Sequence, residues 1–264
     1  MYNRSNPPHP ASTRKAVASV RSVRPFLFCK QEVLMPAILI TGASRGLGLA
    51  LARVLARQGW RLVIDAREPT ALNAARAELA ASTTVEALPG SVADPEHARA
   101  LVEAAARLGP IHALVNNAST LGPTPLPALL NAPLDAVREV LEVNALAPVR
   151  LIQLAAPHLS PGARILNVSS DAAVEGYPGW GVYGSAKAAL EALTRSLAAE
   201  QPGWRVYAVD PGDMRTRMQQ DAFPGEDVSD RPPPEASVPG LLRLLTGALP
   251  SGRYLTRELA EVSA

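Results

Sequence analysis

The stretch "YGSAKAAL" at residues 183–190 places a tyrosine and a lysine four residues apart. On a helix these two side chains lie on one face. A phenol with a pKa of about 10 transfers protons poorly at neutral pH, but a neighbouring cation favours the phenolate and lowers that pKa. Tyr183 and Lys187 together therefore predict acid–base catalysis by the tyrosine.

Lys187 is also an exception among its neighbours. It is the only lysine after Lys30, whereas 19 arginines lie between Arg45 and Arg257. An ammonium is compact and can enter a proton relay, and a guanidinium cannot release a proton at any useful pH. This difference is a physical reason for lysine at this one position.

The elements that must hold this pair alternate along the chain. Apolar runs predict strands and helical periodicity predicts helices. A parallel sheet covered on both faces is indicated, because the strands are apolar at nearly every residue. With right-handed crossovers, this is a single-domain α/β protein with a doubly wound sheet of about seven strands and helices on both faces. The predicted strands are 37–41, 61–65, 85–88, 111–117, 163–170, 204–210 and 252–256, and the predicted helices are 48–59, 70–82, 95–109, 133–159, 183–200 and 240–247.

The composition excludes several classes of protein. No apolar run approaches the ~20 residues that span a bilayer, so no membrane partner is expected. One cysteine, Cys29, and four histidines without ligand spacing predict no metal site and a reducing, cytoplasmic location. From Met35 onward, 20 Lys and Arg residues stand against 23 Asp and Glu residues, which is no footprint for nucleic acid.

The first 35 residues differ from the rest. Residues 1–31 contain six Lys or Arg residues and no acid, and they are rich in Ser and Pro. Three interpretations stay open: a disordered tail, upstream sequence translated before a true start at Met35, or an organelle transit peptide. In each case we expect 1–35 to be a basic extension and 36–264 to be a single folded domain.

The segment "TGASRGLG" joins the first predicted strand to the first helix. Gly42, Gly46 and Gly48 allow a tight turn and let a phosphate approach the helix N-terminus, where free N–H groups favour anions. This G-x-x-x-G-x-G arrangement resembles the short-chain dehydrogenase/reductase family, and the resemblance covers about 37–256. It implies that 36–264 is a dinucleotide-binding oxidoreductase domain with a Rossmann-type fold. It also implies cofactor contacts by the loop residues, which include Ser44, Arg45 and Leu47.

The resemblance also bears on the choice of nicotinamide cofactor. In family members that use NAD, an acid ends the second strand and binds the ribose hydroxyls. The matching position here is Ala66, followed by Arg67, while Asp65 falls one residue early. Arg45 and Arg67 would bind a 2′-phosphate, since a guanidinium can donate two parallel hydrogen bonds to it. We therefore expect NADP(H), with NAD(H) as the alternative.

Three further segments resemble family motifs at the cofactor. "SVADPE" (91–96) would place Ser91 and Val92 at the adenine. "NNAS" (116–119) would place Asn117 and Ala118 near the nicotinamide ribose, with Ser119 where the family has glycine. "DPGDMRT" (210–216) would turn the backbone of Pro211 and Gly212, and the Thr216 hydroxyl, toward the carboxamide.

Two more residues complete the catalytic set that the resemblance implies. Ser170 lies 13 residues before Tyr183, at the end of a predicted strand, and would hydrogen-bond the substrate oxygen. Asn144 lies four residues before Pro148, which has no N–H to bond its carbonyl, so a kink is predicted there. In the family the matching carbonyl holds a water that links the lysine to solvent.

The implied reaction interconverts a small-molecule carbonyl compound and an alcohol, with Tyr183 as the general acid or base. An NAD-dependent alcohol dehydrogenase of the same family is the first alternative. A non-catalytic dinucleotide sensor and a methyltransferase are less consistent, because neither explains both Tyr183 and Lys187. A homodimer or homotetramer is expected, since family members pair through the helices that correspond to 133–159 and 183–200. The substrate pocket is expected between 119–130, 171–182 and 213–235.

Overall fold

Seven parallel strands form one sheet in a computed structural model of the chain, which describes residues 35–260. Their order across the sheet is β3-β2-β1-β4-β5-β6-β7. The predicted α/β class and doubly wound parallel sheet are confirmed. The predicted extension over 1–35 lies outside the described residues, apart from Met35. The strands are β1 Ala37–Ile40, β2 Arg61–Ala66, β3 Val85–Pro89, β4 Ile111–Asn116, β5 Leu159–Val168, β6 Arg205–Asp210 and β7 Gly252–Leu255.

Helices cover both faces of the sheet, as predicted. Side chains alternate between the faces along each strand. The helices are α1 Gly46–Arg57, α2 Pro69–Leu79, α3 Pro95–Arg107, α4 Leu134–Leu141, α5 Ala147–Ala155, α6 Gly181–Glu200, α7 Arg217–Ala222, α8 Val238–Thr246 and α9 Thr256–Ala260. On β1, Ile38 and Ile40 enter a core with α1, α2 and α8, whereas Leu39 enters a second core with α3 and α5. Across residues 35–260, no helix is long and apolar enough to cross a membrane.

The single helix predicted over 133–159 is wrong in its extent. It consists of α4 and α5, which are joined by a π-helical segment at Glu142–Leu146. Pro148 stands in the first turn of α5 and cannot donate to the carbonyl four residues earlier. The predicted interruption at Asn144 is therefore confirmed, and it takes the form of a wider turn.

Strand β5 also differs from the prediction. It begins at Leu159 and ends at Val168, whereas 163–170 was expected. Its pairing with β4 shifts register between Ile111 and Ala113, opposite the segment that contains Pro161 and Gly162. These two residues are typical of turns, so the sequence pattern did not predict the irregular first half of the strand. Ser170 consequently lies two residues beyond the strand, as the N-cap of a 3₁₀ turn at Asp171–Ala173.

A buried polar network holds helix α6 against the ends of three strands. Ser169, just after β5, donates through Oγ to Oε1 of Glu191 on α6 at 2.6 Å. Arg253 on β7 donates to the same Oε1 at 2.9 Å and to Oδ2 of Asp210, at the end of β6, at 3.1 Å. Both carboxylates are buried. Because an unpaired buried charge is strongly destabilising, the network fixes α6 relative to the sheet.

Helix α6 also touches the 3₁₀ turn at Asp171–Ala173 through a glycine. A Cβ added at Gly184 would lie 2.4 Å from the backbone oxygen of Ala172, which cannot move aside. We predict that Gly184→Ala lowers the free energy of unfolding by about 1–3 kcal/mol, despite the helix propensity of alanine, and lowers the midpoint of thermal unfolding. Gly176→Ala is the matched control, since nothing lies within 4 Å of its added Cβ. Equal midpoints for the two variants would contradict this packing.

Candidate active site

A cleft of about 1650 Å³ opens at the carboxyl ends of the strands. This edge is where open α/β sheets bind ligands. Of the site residues predicted from the sequence, all but two line this cleft: Gly48 and Asn144 lie behind its surface. Gly48 supports the wall, because a Cβ there would lie 2.6 Å from the backbone oxygen of Gly42 and 2.7 Å from Nδ2 of Asn117.

The glycine loop presents the start of α1 to the cleft. Gly42 and Gly46 have φ angles of 67° and 56°, in the region that favours glycine. Arg45 precedes the first turn in extended conformation, and no side chain caps that turn. Ser44 and Leu47 line the same part of the cleft. The first N–H groups of α1 thus form an anion site of the kind that binds phosphate.

Hydrogen bonds from side chains join the segment after β4 to this glycine loop. Asn117 donates through Nδ2 to the backbone oxygens of Thr41 and Gly42 at 2.9 and 3.1 Å. The Thr41 hydroxyl accepts from the backbone N–H groups of Asn117 and Ala118, both at 3.0 Å. Asn117 therefore shapes the loop through its side chain.

At the end of β2, Asp65 is buried and already engaged. Its Oδ1 accepts from the Gly42 N–H at 2.7 Å, and its Oδ2 lies 3.1 Å from Nε2 of His97 on α3. The Asp65 carboxylate is thus engaged by groups of the protein, although the residue also lines the cleft. The sequence did not reveal His97 as its partner, because 32 residues separate the two.

The two arginines predicted at the cofactor, Arg45 and Arg67, both line the cleft. Glu68 lines it beside them, with Oε2 3.9 Å from the Arg45 guanidinium. Glu68 caps α2 by accepting from the backbone N–H groups of Thr70 and Ala71, and these bonds lower its pKa. The sequence pattern did not single out this acid, although Pro69 after it is a recognisable signal of a helix start.

The remaining predicted cofactor residues also have roles in the fold. Val92 is buried in the core near α3, and the Ser91 hydroxyl accepts from the Ala93 N–H at 3.3 Å. Thr216 caps α7 by accepting from the Gln219 N–H at 3.2 Å. The Gly212 N–H is held by Oδ1 of Asp210 at 2.9 Å, which orients the turn of Pro211 and Gly212.

At the floor of the cleft, Lys187 is almost fully buried. It is 2% exposed, and its Nζ donates to the backbone oxygen of Val168 at 2.7 Å. Among residues 35–260, no carboxylate forms an ion pair with it. Burial lowers the pKa of Lys187 from 10.5 to about 7. Its Nζ lies 5.5 Å from the centroid of the Tyr183 ring.

Tyr183 is buried beside it, and here the structure differs from the sequence-based expectation. Burial raises the pKa of Tyr183 to about 12, and the carboxylates of Asp210 and Asp171 add to this effect. The hydroxyls of Ser119 and Ser170 face the phenol and oppose the shift. Desolvation thus outweighs the lowering that a neighbouring cation was expected to give. The arrangement favours the neutral phenol, which can donate a proton.

Ser170 lies beside the Tyr183 phenol, and both Ser170 and Asn144 form hydrogen bonds to other groups. The Ser170 Oγ donates to Oδ1 of Asp171 at 2.8 Å and accepts from the Ala172 N–H at 3.2 Å. Asn144 accepts through Oδ1 from the Thr120 N–H at 2.9 Å and from the Ser119 hydroxyl at 3.1 Å. Its side chain thus fixes the segment after β4.

An apolar wall stands on the other side of Tyr183. The Trp180 ring lies edge-on to Tyr183, with centroids 5.6 Å apart, and 6.0 Å from the Phe223 ring. Leu121 and Met218 belong to the same cluster. The cleft thus combines an anion-binding end with an apolar end, and a proton donor lies between them. Over residues 35–260, no group of three or more His, Cys, Asp or Glu residues could hold a metal ion.

A parallel sheet of this strand order, with a glycine loop after its first strand, defines a Rossmann-type dinucleotide-binding protein. The model of the short chain dehydrogenase family matches residues 36–227. The chain is 37% identical over 199 residues to short-chain dehydrogenase/reductase FrzI of a Cladobotryum species, over 70% of this chain and 73% of that one. It is 32% identical over 188 residues to L-fucose dehydrogenase of Mus musculus, over 70% and 67%.

Comparison with solved structures leads to the same family. A short chain dehydrogenase structure from Pseudomonas syringae matches with a TM-score of 0.79 and 29% identity, over 85% of this chain and 96% of that one. A short chain dehydrogenase structure from Escherichia coli in complex with NADPH matches with a TM-score of 0.75 and 26% identity, over 85% and 98%. The chain belongs to the short-chain dehydrogenase family and is an oxidoreductase of that family, which confirms the predicted family and enzyme class.

The buried Lys187 predicts a pH dependence of stability. Its pKa is about 7 in the folded protein and 10.5 as an ordinary lysine. At pH values between these two, the unfolded chain binds one more proton at Lys187 than the folded protein does. The contribution of Lys187 to the free energy of unfolding therefore rises with pH. The slope is at most about 1.4 kcal/mol per pH unit.

We predict that Lys187→Met removes this rise. The measurement is the free energy of unfolding in urea at about pH 7, 8 and 9 for both proteins. The difference between wild type and variant should shrink as pH increases, because the penalty of burying the ammonium disappears. Parallel pH curves would show that Lys187 keeps its proton throughout. Arg195→Met, on the exposed side of α6, is the control and should leave the curve unchanged.

Proposed function

We propose that the protein is an NADP(H)-dependent oxidoreductase that interconverts a carbonyl compound and a secondary alcohol, with Tyr183 as the general acid or base. The observation that carries this proposal is the buried pair of Tyr183 and Lys187 at the floor of a cleft whose other end is the glycine loop. Its neutral phenol suits proton donation to a carbonyl oxygen during reduction.

The residues of the cleft fit a dinucleotide. The uncapped start of α1, with Gly42 and Gly46, would bind the phosphates. Arg45 and Arg67 would bind a 2′-phosphate at the same end of the cleft. The adenine end would contact Ser91 and Val92, and the nicotinamide end would contact the six residues Asn117, Ala118, Pro211, Gly212, Thr216 and Lys187. A family member of similar fold in complex with NADPH supports this assignment.

A bound nicotinamide dinucleotide would supply or accept the hydride. Tyr183 gives its proton to the substrate oxygen, or receives it in the reverse direction. Ser170 turns its O–H from Asp171 to that same oxygen. In its ammonium form, Lys187 has two N–H hydrogens left beside its bond to Val168. With them it would hold the ribose of a bound dinucleotide and stabilise the phenolate as it forms. Asn144 supports the proton relay.

An NAD-dependent dehydrogenase of the same family is the second candidate, and one observation favours it. The Glu68 carboxylate lies 3.9 Å from the Arg45 guanidinium and lines the end of the cleft that would receive a 2′-phosphate. A carboxylate there repels phosphate and can accept from ribose hydroxyls. Two arginines outnumber it, so we favour NADP(H). A non-catalytic sensor is less consistent, because Tyr183 and Lys187 lie beside one another.

The function is tested by a spectrophotometric screen of the purified protein against a panel of carbonyl compounds and alcohols, with NADPH and NADH in parallel. Reduction of at least one carbonyl compound, with higher kcat/KM for NADPH, is expected. Activity with NADH alone would overturn the cofactor assignment. No turnover with either cofactor would overturn the function itself. The cytoplasmic location and the homodimer or homotetramer stay predictions.

Lys187→Arg is predicted to keep the positive charge and to lower kcat by about 100-fold or more. A guanidinium is too large for the site next to Val168 and cannot pass on a proton. Tyr183→Phe should lower kcat at least as much, because the phenol hydroxyl that gives its proton to the substrate oxygen is lost. The measurement is initial rates with the best substrate of the panel. Ser185→Ala, on the exposed face of the same helix, is the control and should stay within about twofold. Full activity of Tyr183→Phe would disprove the mechanism.

Arg67→Ala is predicted to raise the KM for NADPH by about tenfold and to leave the KM for NADH nearly unchanged, because only NADPH carries the phosphate that Arg67 would bind. Glu68→Gln should shift preference further toward NADPH, since it removes a negative charge from that end. Steady-state kinetics with both cofactors measure this. Arg57→Ala is the control, because Arg57 is exposed on α1 and does not line the cleft. An equal loss with both cofactors would place Arg67 away from the phosphate.

A further inference from the structure

The apolar end of the cleft carries one negative charge next to the reactive hydroxyls. The Asp171 carboxylate accepts from the Ser170 hydroxyl at 2.8 Å and from the Ala172 N–H at 2.8 Å through Oδ1. Its Oδ2 accepts from the Tyr177 hydroxyl at 3.1 Å. Three hydrogen bonds to its oxygens hold this carboxylate beside the place where a substrate oxygen would lie.

No Lys, Arg or His side chain between residues 35 and 260 forms an ion pair with Asp171. Arg253 donates to the backbone oxygen of Ser170 at 3.4 Å, but its ion pairs are with Glu191 and Asp210. The charge reaches Tyr183, because it contributes to raising the pKa of that phenol. Asp171 itself is exposed, but the side chains of Ala172 and Tyr183 next to it are buried and exclude water on that side, so a second anion brought against Asp171 would be repelled.

The other charged side chains at the apolar end of the cleft do not offset the negative charge of Asp171. Arg217 lies 3.7 Å from Asp221 and is compensated by it. Arg215 donates to the backbone oxygen of Ser229 and is exposed. Glu139 and Asp213 line the same cleft and add negative charge. The wall itself is apolar, built around the rings of Trp180 and Phe223 and the side chains of Leu121 and Met218.

We propose that Asp171 makes the site selective for neutral carbonyl compounds with a bulky apolar substituent, and against compounds that carry a carboxylate next to the carbonyl group. The apolar substituent packs against Trp180 and Phe223, while the carbonyl oxygen meets Ser170 and Tyr183. A carboxylate on the adjacent carbon would come close to Asp171. This inference rests on the proposed function and adds the substrate class to it.

The test compares ethyl benzoylformate with benzoylformate, which share a phenyl ketone and differ in one negative charge. For the wild type, we expect kcat/KM with NADPH to be about 100-fold higher for the ester. In Asp171→Asn, the ester-to-acid ratio should fall by about tenfold or more, through a gain with the acid. Asparagine still accepts the hydrogen bond from Ser170, so the geometry is kept.

Two controls separate charge from structure. Asp171→Glu keeps the charge and should keep a ratio close to that of the wild type. Asp213→Asn removes an exposed carboxylate from the rim of the same cleft and should change the ratio by less than about twofold. In the wild type, about 1 M salt should lower the ester-to-acid ratio of kcat/KM, because salt screens the repulsion between Asp171 and the acid. This measurement needs no variant.

The outcomes are distinct. An unchanged ratio in Asp171→Asn, or a wild type that prefers the acid, would overturn the inference and leave the proposed function intact. If another compound of the panel is reduced but this ester is not, ester and acid are compared as inhibitors of that compound, and the ester should bind at least about tenfold tighter. Equal inhibition would overturn the inference. No turnover of any compound with either cofactor would overturn the proposed function, and this inference with it.

Discussion

The Lys187 ammonium, buried at the end of β5 with the Val168 oxygen as its protein partner, is the interaction on which the site depends. A buried cation without a carboxylate is costly, which is why its pKa falls to about 7. The surrounding fold must therefore hold α6 tightly against the sheet. It does so through the close contact of Gly184 with Ala172 and through the ion pairs of Glu191 with Arg253. The same contacts place Tyr183 beside the cleft.

The two ends of the cleft present different kinds of group. At the glycine loop the exposed groups are backbone N–H groups, and side chains such as Asn117 and Asp65 hold that backbone in place. At the other end the lining groups are side chains, both apolar and charged. The first end suits a phosphate, which is common to many ligands, whereas the second can vary with the substrate. One carboxylate stands at each end, Glu68 beside the glycine loop and Asp171 beside Ser170.

Much of the fold and of the site was predictable from local patterns. Strand and helix alternation predicted the sheet, and the spacing of Tyr183 and Lys187 on one helical turn predicted their contact. The irregular start of β5 was missed because Pro161 and Gly162 are typical of turns. The pairing of Asp65 with His97 was missed because it joins β2 to α3 across 32 residues. The sequence predicted a lowered pKa for Tyr183, which was wrong. Burial raises this pKa, and burial is decided only when distant segments pack together.

The sequence by itself determined the class of fold, the glycine loop, the family and the placement of Tyr183 and Lys187 on one helical face. These depend on residue type and on spacing within one element or one turn, and such information is local. Only the tertiary structure decided that Asp65 is engaged by Gly42, that Ser170 donates to Asp171 and that burial raises the pKa of Tyr183. Each of these depends on which groups remain in contact with water after distant segments pack together. The hydrophobic pattern and the residue spacing do not specify those contacts directly.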